Sequence, residues 1–462
     1  MALQEIALQS KTMALPTLQS CVAYSNQAIL TFSDIVKVAG VGDLNPAYLA
    51  ISVDGQPAEI SKASLLAPQQ GSSSTGSRLL LALSPNALSM AKNVSVIYTP
   101  PNNGSNVGFL TDTNGVELIG FNQPVETFVA IKDISTSRGL ATAYKGLILE
   151  GAALAGYGNA KDNTLMGNDL ANILDGRGGA DTMTGLGGDD KYFINHAGDT
   201  IIEEENAGVD LVESSISHTL SNNVENLKLT GSTVINGTGN SLNNTITGNN
   251  SVNILDGKEG NDILIGGKGG DTYIVNSATD IIKEVYSNSG DIDTVQSTVS
   301  WELGLNLENL SLLGSAAANA TGNHLNNKLI GNTSNNIIDG GTGGIDTMTG
   351  LGGADTFTFL TKPSNFKASS ADHITDFFRA QGDKIQIKAS AFGIIGNPTL
   401  SVVNSAPAAK ISLATSAQFI YDTSTGNLHW NQDGLEKGAG SGGILAILDN
   451  KSALRAEDLI LI

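Results

Sequence analysis

Residues 158–193 read GNAKDNTLM, GNDLANILD, GRGGADTMT and GLGGDDKYF, four nine-residue units in unbroken succession. The period returns from Gly239 as GNSLNNTIT, GNNSVNILD, GKEGNDILI and GGKGGDTYI. It returns again from Gly322 as GNHLNNKLI and GNTSNNIID, then, after Gly340 read as an inserted residue, as GTGGIDTMT and GLGGADTFT. Self-similarity at a short fixed period signals a solenoid, in which each unit is too small to bury its own apolar face and stacks on its neighbours.

Three positions carry the pattern. The first is always Gly. The sixth is Asn in the first two units of each block (Asn163, Asn172, Asn244, Asn253, Asn327, Asn336) and Asp in the last two (Asp181, Asp190, Asp262, Asp271, Asp346, Asp355). The eighth is large and apolar throughout: Leu165, Leu174, Met183, Tyr192, Ile246, Leu255, Leu264, Tyr273, Leu329, Ile338, Met348 and Phe357. The three residues after the sixth read as a short strand whose middle side chain is buried, and Tyr192, Tyr273 and Phe357 are read as core. The blocks begin at 158, 239 and 322, and the spacers match each other: NVENLKLTGSTVINGTGN ends at Asn240 and NLENLSLLGSAAANATGN at Asn323. Apolar alternation at Leu227 and Leu229, and at Leu310 and Leu312, predicts that the spacers continue the stack of strands.

The turns between strands are the chemical part. Glycine at positions one and four is expected to adopt positive φ and to turn carbonyl oxygens inward, and the sixth-position Asp adds a carboxylate. Such an all-oxygen set suits Ca²⁺, which takes six to eight oxygen ligands. Two units should complete one coil, so carboxylates eighteen residues apart share an ion, as Asp181 with Asp199 and Asp262 with Asp280. The Asn-type turns replace the fourth-position Gly with Lys161, Leu170, Leu242, Ser251, Leu325 and Ser334, and are expected to be structural, their amides bonding backbone. The predicted ligand set is therefore Gly176, Gly179 and Asp181; Gly185, Gly188 and Asp190; Gly257, Gly260 and Asp262; Gly266, Gly269 and Asp271; Gly341, Gly344 and Asp346; Gly350, Gly353 and Asp355, together with Asp199 and Asp280.

These units resemble the RTX (repeats-in-toxin, haemolysin-type) calcium-binding nonapeptide G-G-x-G-x-D-x-U-x, which GGKGGDTYI at Gly266 matches at every fixed position. GKEGNDILI, GLGGDDKYF and GLGGADTFT depart from it at the second Gly. The resemblance implies a right-handed parallel β-roll, export by a type I secretion machinery without an N-terminal signal, and folding on calcium outside the cell.

The flanks differ from the repeats. Over 20–125, alternation at Ala28, Leu30 and Phe32, at Leu49, Ile51 and Val53, and at Val94, Val96 and Tyr98 predicts short strands and a β-sandwich. NVSVIYTPP followed by LTDTNGVEL resembles an Ig-like repeat of large cyanobacterial surface proteins, implying a spacer or adhesion module. Residues 361–462 resemble the end of RTX exoproteins such as the serralysins: ADHITDFFRAQGDKIQI from Ala371 matches the A-D-x-I-x-D-F segment with its G-D-K-I, FIYDTSTGNLHWNQDG from Phe419 matches a strand-turn-strand, and Asp458–Ile462 matches an uncleaved secretion signal. By that resemblance Asp372 completes the last site with Asp346.

Composition narrows the function classes. The 462 residues include 54 Gly and 45 acidic against 25 basic side chains, a formal charge of −20 that disfavours nucleic acid or anionic membrane and favours cations. Cys21 is alone, so no internal disulfide staples the chain. The first residues, Met1–Pro16, do not read as a Sec signal peptide, and no stretch has the ~20 apolar residues of a membrane span. His196, His218, His324, His373 and His429 are scattered and form no HExxH, and no G-x-S-x-G elbow has partners at a workable spacing. The resulting expectation is an all-β chain: a disordered segment over 1–19, an Ig-like β-sandwich over 20–125, a parallel β-roll over 126–360 and a β-rich cap and secretion region over 361–462. Its expected function is that of a non-enzymatic, extracellular or cell-surface calcium-binding protein, structural or adhesive, with surface polysaccharide or other surface proteins as partners. A secreted calcium-dependent hydrolase with its activity in the N-terminal domain is the alternative.

Overall fold

The computed structural model describes residues 146–149, 152–285, 290–362, 367–404, 417–432 and 442–462 with side chains, and between 18 and 131 it describes strands only. The chain divides into two compact units, Met1–Asp210 and Leu211–Ile462.

Each nonapeptide contributes three extended residues. In the first unit Thr164–Met166 pairs in parallel with Thr182–Thr184, eighteen residues on, and that strand pairs with Thr200–Ile202. The second ladder is built from the alternate units, with Ile173 opposite Lys191 and Leu174 opposite Tyr192. One coil is thus two nonapeptides and two short strands, as the eighteen-residue spacing predicts. The period of two in a strand sends the middle side chain inward, and all twelve eighth-position residues have no exposed surface. Three-residue strands are too short to persist alone, so the fold rests on stacking this column of side chains.

In the second unit the spacers supply further coils of altered length. Leu211–Ser214 pairs with Asn226–Leu229, which pairs with Thr245–Thr247. Thr272–Val275 pairs with Thr294–Ser297, then Asn309–Leu312, then Lys328–Ile330. Leu227, Leu229, Leu310 and Leu312 are buried in these coils, as their alternation predicts.

Beyond the third block the chain covers the open end of the stack. Asp372–Ile374 adds to Thr347–Thr349, Lys384–Ile387 adds to Thr356–Phe359, and Leu459–Leu461 adds to Lys384–Ile387. Gly442–Leu448 lies beside Asp372–Ile374 and continues antiparallel into Asn427–Asn431 and Phe419–Asp422. An unprotected strand edge invites pairing with other chains. Here Leu459–Leu461 becomes the outermost strand of its sheet, and the chain just before it is pinned by Asp458, fully buried, which accepts hydrogen bonds from Arg379 Nε at 2.9 Å and Lys384 Nζ at 3.1 Å.

The N-terminal strands are mainly antiparallel: Gln27–Phe32 joins Leu18–Tyr24 and Arg78–Leu83, while Val94–Tyr98 joins Leu49–Val53. Phe121–Ile131 pairs in parallel with Gly146–Leu149, the strand on which Thr164–Met166 stacks. The Ig-like packing expected over 20–125 and the segment expected to be disordered over 1–19 lie outside the residues described with side chains.

The two faces of a coil strand differ sharply in what they bear. Truncating Leu255, fully buried, to Ala should destabilise the folded chain by about 2–5 kcal/mol, as cavity-forming core truncations do. Truncating its neighbour Ile254, 41% exposed, should change stability by less than about 0.5 kcal/mol. Chemical denaturation of both variants at saturating calcium checks the contrast, and equal losses would contradict the inward column.

Candidate metal centres

The Asn-type turns close themselves. In each, the sixth-position amide oxygen accepts the backbone N–H of position two: Asn163 from Asn159 at 2.6 Å, Asn172 from Asn168 at 2.7 Å, Asn253 from Asn249 at 2.8 Å, Asn336 from Asn332 at 2.8 Å. The amide nitrogen donates to a carbonyl of the preceding coil, as Asn253 to Ile235 at 2.6 Å and Asn336 to Ala318 at 2.7 Å. An Asn at position two caps the fourth N–H in the same way, Leu242 donating to Asn240 Oδ1 at 2.8 Å. The amide supplies donors to inward carbonyl oxygens, so these turns need no cation.

The Asp-type turns do the opposite. Each carboxylate is buried, and its Oδ1 accepts a single N–H from the sixth residue one coil earlier: Asn163 to Asp181 at 2.7 Å, Asn244 to Asp262 at 2.8 Å, Asn253 to Asp271 at 2.7 Å, Asn336 to Asp355 at 2.9 Å. The chain of acceptors runs on from Asp to Asp: Asp181 N–H donates to Asp199 at 3.0 Å, Asp262 to Asp280 at 3.0 Å, and Asp346 to Asp372 at 3.0 Å. The second oxygens of Asp181, Asp190, Asp262, Asp271 and Asp355 are buried with no hydrogen-bond partner. A carboxylate has no donor of its own, and leaving a charged oxygen buried and unmatched costs several kcal/mol. A cation placed against these oxygens removes that cost.

Burial, partly offset by the backbone hydrogen bond, pushes Asp181 and Asp262 up to about 6 and Asp190 and Asp271 to about 7. The same balance raises Asp355 and Asp372 to about 6 and Asp346 to about 8. Facing carboxylates add to the rise: Asp199 at Asp181, Asp280 at Asp262, and Asp372 at Asp346.

Two glycine positions shape the Asp-type turns, in a way that corrects the expectation for position one. Positive φ falls at positions two and four. Position four is Gly in all six turns, at φ between 93° (Gly344) and 128° (Gly260). Position two is Arg177, Leu186, Lys258, Gly267, Gly341 and Leu351, so four non-glycine residues adopt the left-handed region where the RTX motif has its second Gly. The first glycine has ordinary φ and is needed for space: a Cβ on Gly176, Gly257, Gly340 or Gly350 would run into the second oxygen of the sixth-position carboxylate. The carbonyls of Gly176, Gly185, Gly257, Gly266, Gly340 and Gly350 point back at the first glycine of the preceding coil, which gives the column backbone oxygens as well as carboxylates. This corrects the reading of Gly340 as the insertion. Gly340 stands in first position with Gly341 second, and Thr342 N–H donates to Asn323 O as Gly178 does to Asn159 O, so the extra residue falls between Gly341 and Gly344.

Several acidic residues in these columns carry no nonapeptide signature. Asp190 N–H donates to Asp210 at 2.8 Å, Asp271 to Asp293 at 2.7 Å, and Asp293 to Glu308 at 2.8 Å. Asp355 donates to Asp383 at 3.0 Å, and Gly350 to Asp376 at 2.8 Å. Tyr192 and Tyr273 are core residues as expected, but their hydroxyls also reach acids: Tyr192 donates to Glu203, and Tyr273 to Glu284 at 2.6 Å. Burial and then the contact with Glu284 raise the Tyr273 phenol, keeping it protonated. The available signal was positional, because Glu203 and Glu284 each follow the tyrosine by eleven residues.

The donor set is hard oxygen only, with cradles closed by glycine and buried carboxylate oxygens lacking partners. That is what Ca²⁺ selects. A family model of the RTX calcium-binding nonapeptide repeat, in four copies, matches residues 157–192 and 238–273. These segments are RTX calcium-binding repeats. The third block lies outside the matched residues, yet it shares the buried Asn and Asp columns, the positive φ at positions two and four, and the forward hydrogen bonds. No curated protein matches the chain. In the three blocks Asp181, Asp199, Asp262, Asp280, Asp346 and Asp372, with the first-position carbonyls, would hold calcium, which supplies the positive charge their column lacks.

The raised carboxyls fix a pH dependence. The unfolded chain releases these protons near 3.8, and the metal-free fold near 6 to 8. The metal-free fold is therefore destabilised at and above about pH 8, and the penalty is removed as the pH falls toward 4. Calcium must displace the same protons, so its affinity should fall steadily from pH 8 to pH 5. Calcium titrations followed by circular dichroism at several pH values check this, and a pH-independent midpoint would contradict it.

Proposed function

We propose that the protein is a secreted or cell-surface calcium-binding protein that is exported unfolded by a type I machinery, folds when its RTX blocks take up Ca²⁺, and serves a structural or adhesive role without catalysis. The observation that carries this reading is the column of buried carboxylates whose second oxygens have no partner in the protein. Without a cation, the Asp-type coils stack carboxylates on the acidic residues of the coil that follows, as Asp181 on Asp199 and Asp262 on Asp280. Folding and metal binding are therefore linked.

The linkage gives export a direction. Extracellular calcium modules bind at about 10⁻⁴ to 10⁻³ M, so the sites stay empty where calcium is scarce and fill where it is abundant. RTX repeats occur typically in secreted proteins. No helix among the described residues is long and apolar enough to cross a membrane. The C-terminal segment that resembles a secretion signal ends in the strand Leu459–Leu461, which enters the sheet only in the folded state. The adhesive role is supported by the resemblance of NVSVIYTPP and LTDTNGVEL to an Ig-like repeat of surface proteins.

Purified chain in chelator should give a coil-like circular dichroism spectrum. It should convert to a β spectrum at about 0.1–1 mM Ca²⁺ and respond little to Mg²⁺, which demands tighter octahedral geometry. Equal compactness and heat resistance with and without calcium would refute the coupling, and a strictly cytosolic pool on cell fractionation would refute the location.

A further inference from the structure

We infer that each of the first two blocks ends in a second kind of cation site, a cage of three carboxylates beside a phenol, which takes calcium ahead of the turn sites. The first cage is Asp190, Glu203 and Asp210 with Tyr192; the second is Asp271, Glu284 and Asp293 with Tyr273. This deepens the calcium reading and rests on it only for the identity of the ion.

In each cage one oxygen from each of the three carboxylates lies within 4.8 Å of the others. Proximity of acids alone does not make a site, and two further observations point to a ligand. The second oxygens of Asp190 and Asp271, on side chains 1% and 0% exposed, have no hydrogen-bond partner. The oxygens converge over the neighbouring glycine: a Cβ on Gly185 would meet Asp190 Oδ2, the Tyr192 hydroxyl and Glu203 Oε1 together, and one on Gly266 would meet Asp271 Oδ2 and the Tyr273 hydroxyl. Only glycine lets this many oxygens gather against the backbone.

The cages differ from the turn sites in charge and in enclosure. The pair Asp181 and Asp199 brings two carboxylates to its turn, whereas each cage brings three. Calcium affinity rises with the number of charged ligands, and that number is greater here. Glu203 and Glu284 come from the spacer rather than from a nonapeptide, so the ion ties the last coil of a block to the chain that follows. The third block shows what is lost without them. Phe357 stands at the tyrosine position, Asp355 donates forward to Asp383, and no three-carboxylate group forms there among the described residues.

The phenol makes the cages separately visible, because Tb³⁺ replaces Ca²⁺ at oxygen sites and is excited by a tyrosine in contact with it. Full-length chain titrated with Tb³⁺ should show tyrosine-sensitised emission at the lowest occupancies, displaced by Ca²⁺. Tyr192→Phe combined with Tyr273→Phe should retain the bound-ion count by equilibrium dialysis while losing most of that early emission, and the natural Phe357 shows that the change fits the stack. Glu203→Gln combined with Glu284→Gln, which keeps an acceptor for the tyrosine, should bind one ion fewer per cage and shift the first calcium-binding phase to about tenfold higher concentration. Asp181→Asn combined with Asp262→Asn should leave the early emission in place, and its loss there would show that the cages are not separate sites. Unchanged emission in the phenylalanine variant, or an unchanged ion count and first phase in the glutamine variant, would overturn the proposal. Calcium-induced folding that ignored Asp181→Asn and Asp262→Asn would instead count against the turn sites, with the cages intact.

Discussion

The structure depends on one recurring contact, the N–H of a sixth-position residue donated to a carboxylate one coil ahead. It sets the register of successive turns as firmly as the strand ladders do, since Asn163 to Asp181 and Leu165 to Met183 are the same eighteen-residue step. It also fixes the carboxylate so that one oxygen is satisfied and the other is turned into the column. A group held that way, buried and half-satisfied, is unstable until something positive arrives. The need for calcium is built into the packing itself.

The division of labour within each block follows from the same contact. Where the sixth residue is Asn, its amide provides both acceptor and donors, and the turn is complete within the protein. Where it is Asp, the donors are missing. The Asn coils therefore form a base for the Asp coils, and Asn253 N–H holds Asp271 in place from the coil below. At the other end of the second unit the residues after 367 continue the ladders and cover the last coil, with Asp458 joining Arg379 and Lys384. A stack that gains most of its stability from nearest-neighbour contacts needs such a terminal cover.

Spacers convert a repetitive scaffold into one with distinct ends. Between Thr272 and Thr294 the step is twenty-two residues, and from Thr294 to Asn309 it is fifteen. These irregular coils keep leucine in the core, and they bring Glu284, Asp293 and Glu308 into the acidic column. Charge accumulates where the regular spacing is interrupted.

The sequence by itself determined the coil. A constant Gly at one, Asn or Asp at six and an apolar residue at eight leave little freedom, because a strand period of two and a coil of eighteen admit one inward column and one column of turns. It also separated Asn-type from Asp-type units, a difference of chemistry carried by single residues. What only the tertiary structure decided was everything that depends on contact across irregular spacing. Gly340 in first position is legible from the carboxylate that its missing Cβ makes room for and from the Thr342 N–H bonded to Asn323 O. Positive φ at Arg177, Leu186, Lys258 and Leu351 has no mark in residue type. Glu203 and Glu284 share an offset from their tyrosines that the nonapeptide does not supply, Asp210 and Asp293 lie twenty and twenty-two residues beyond Asp190 and Asp271, and only the folded path brings them together. A periodic pattern fixes neighbours one coil apart, whereas a spacer's partners are set by the path the folded chain takes.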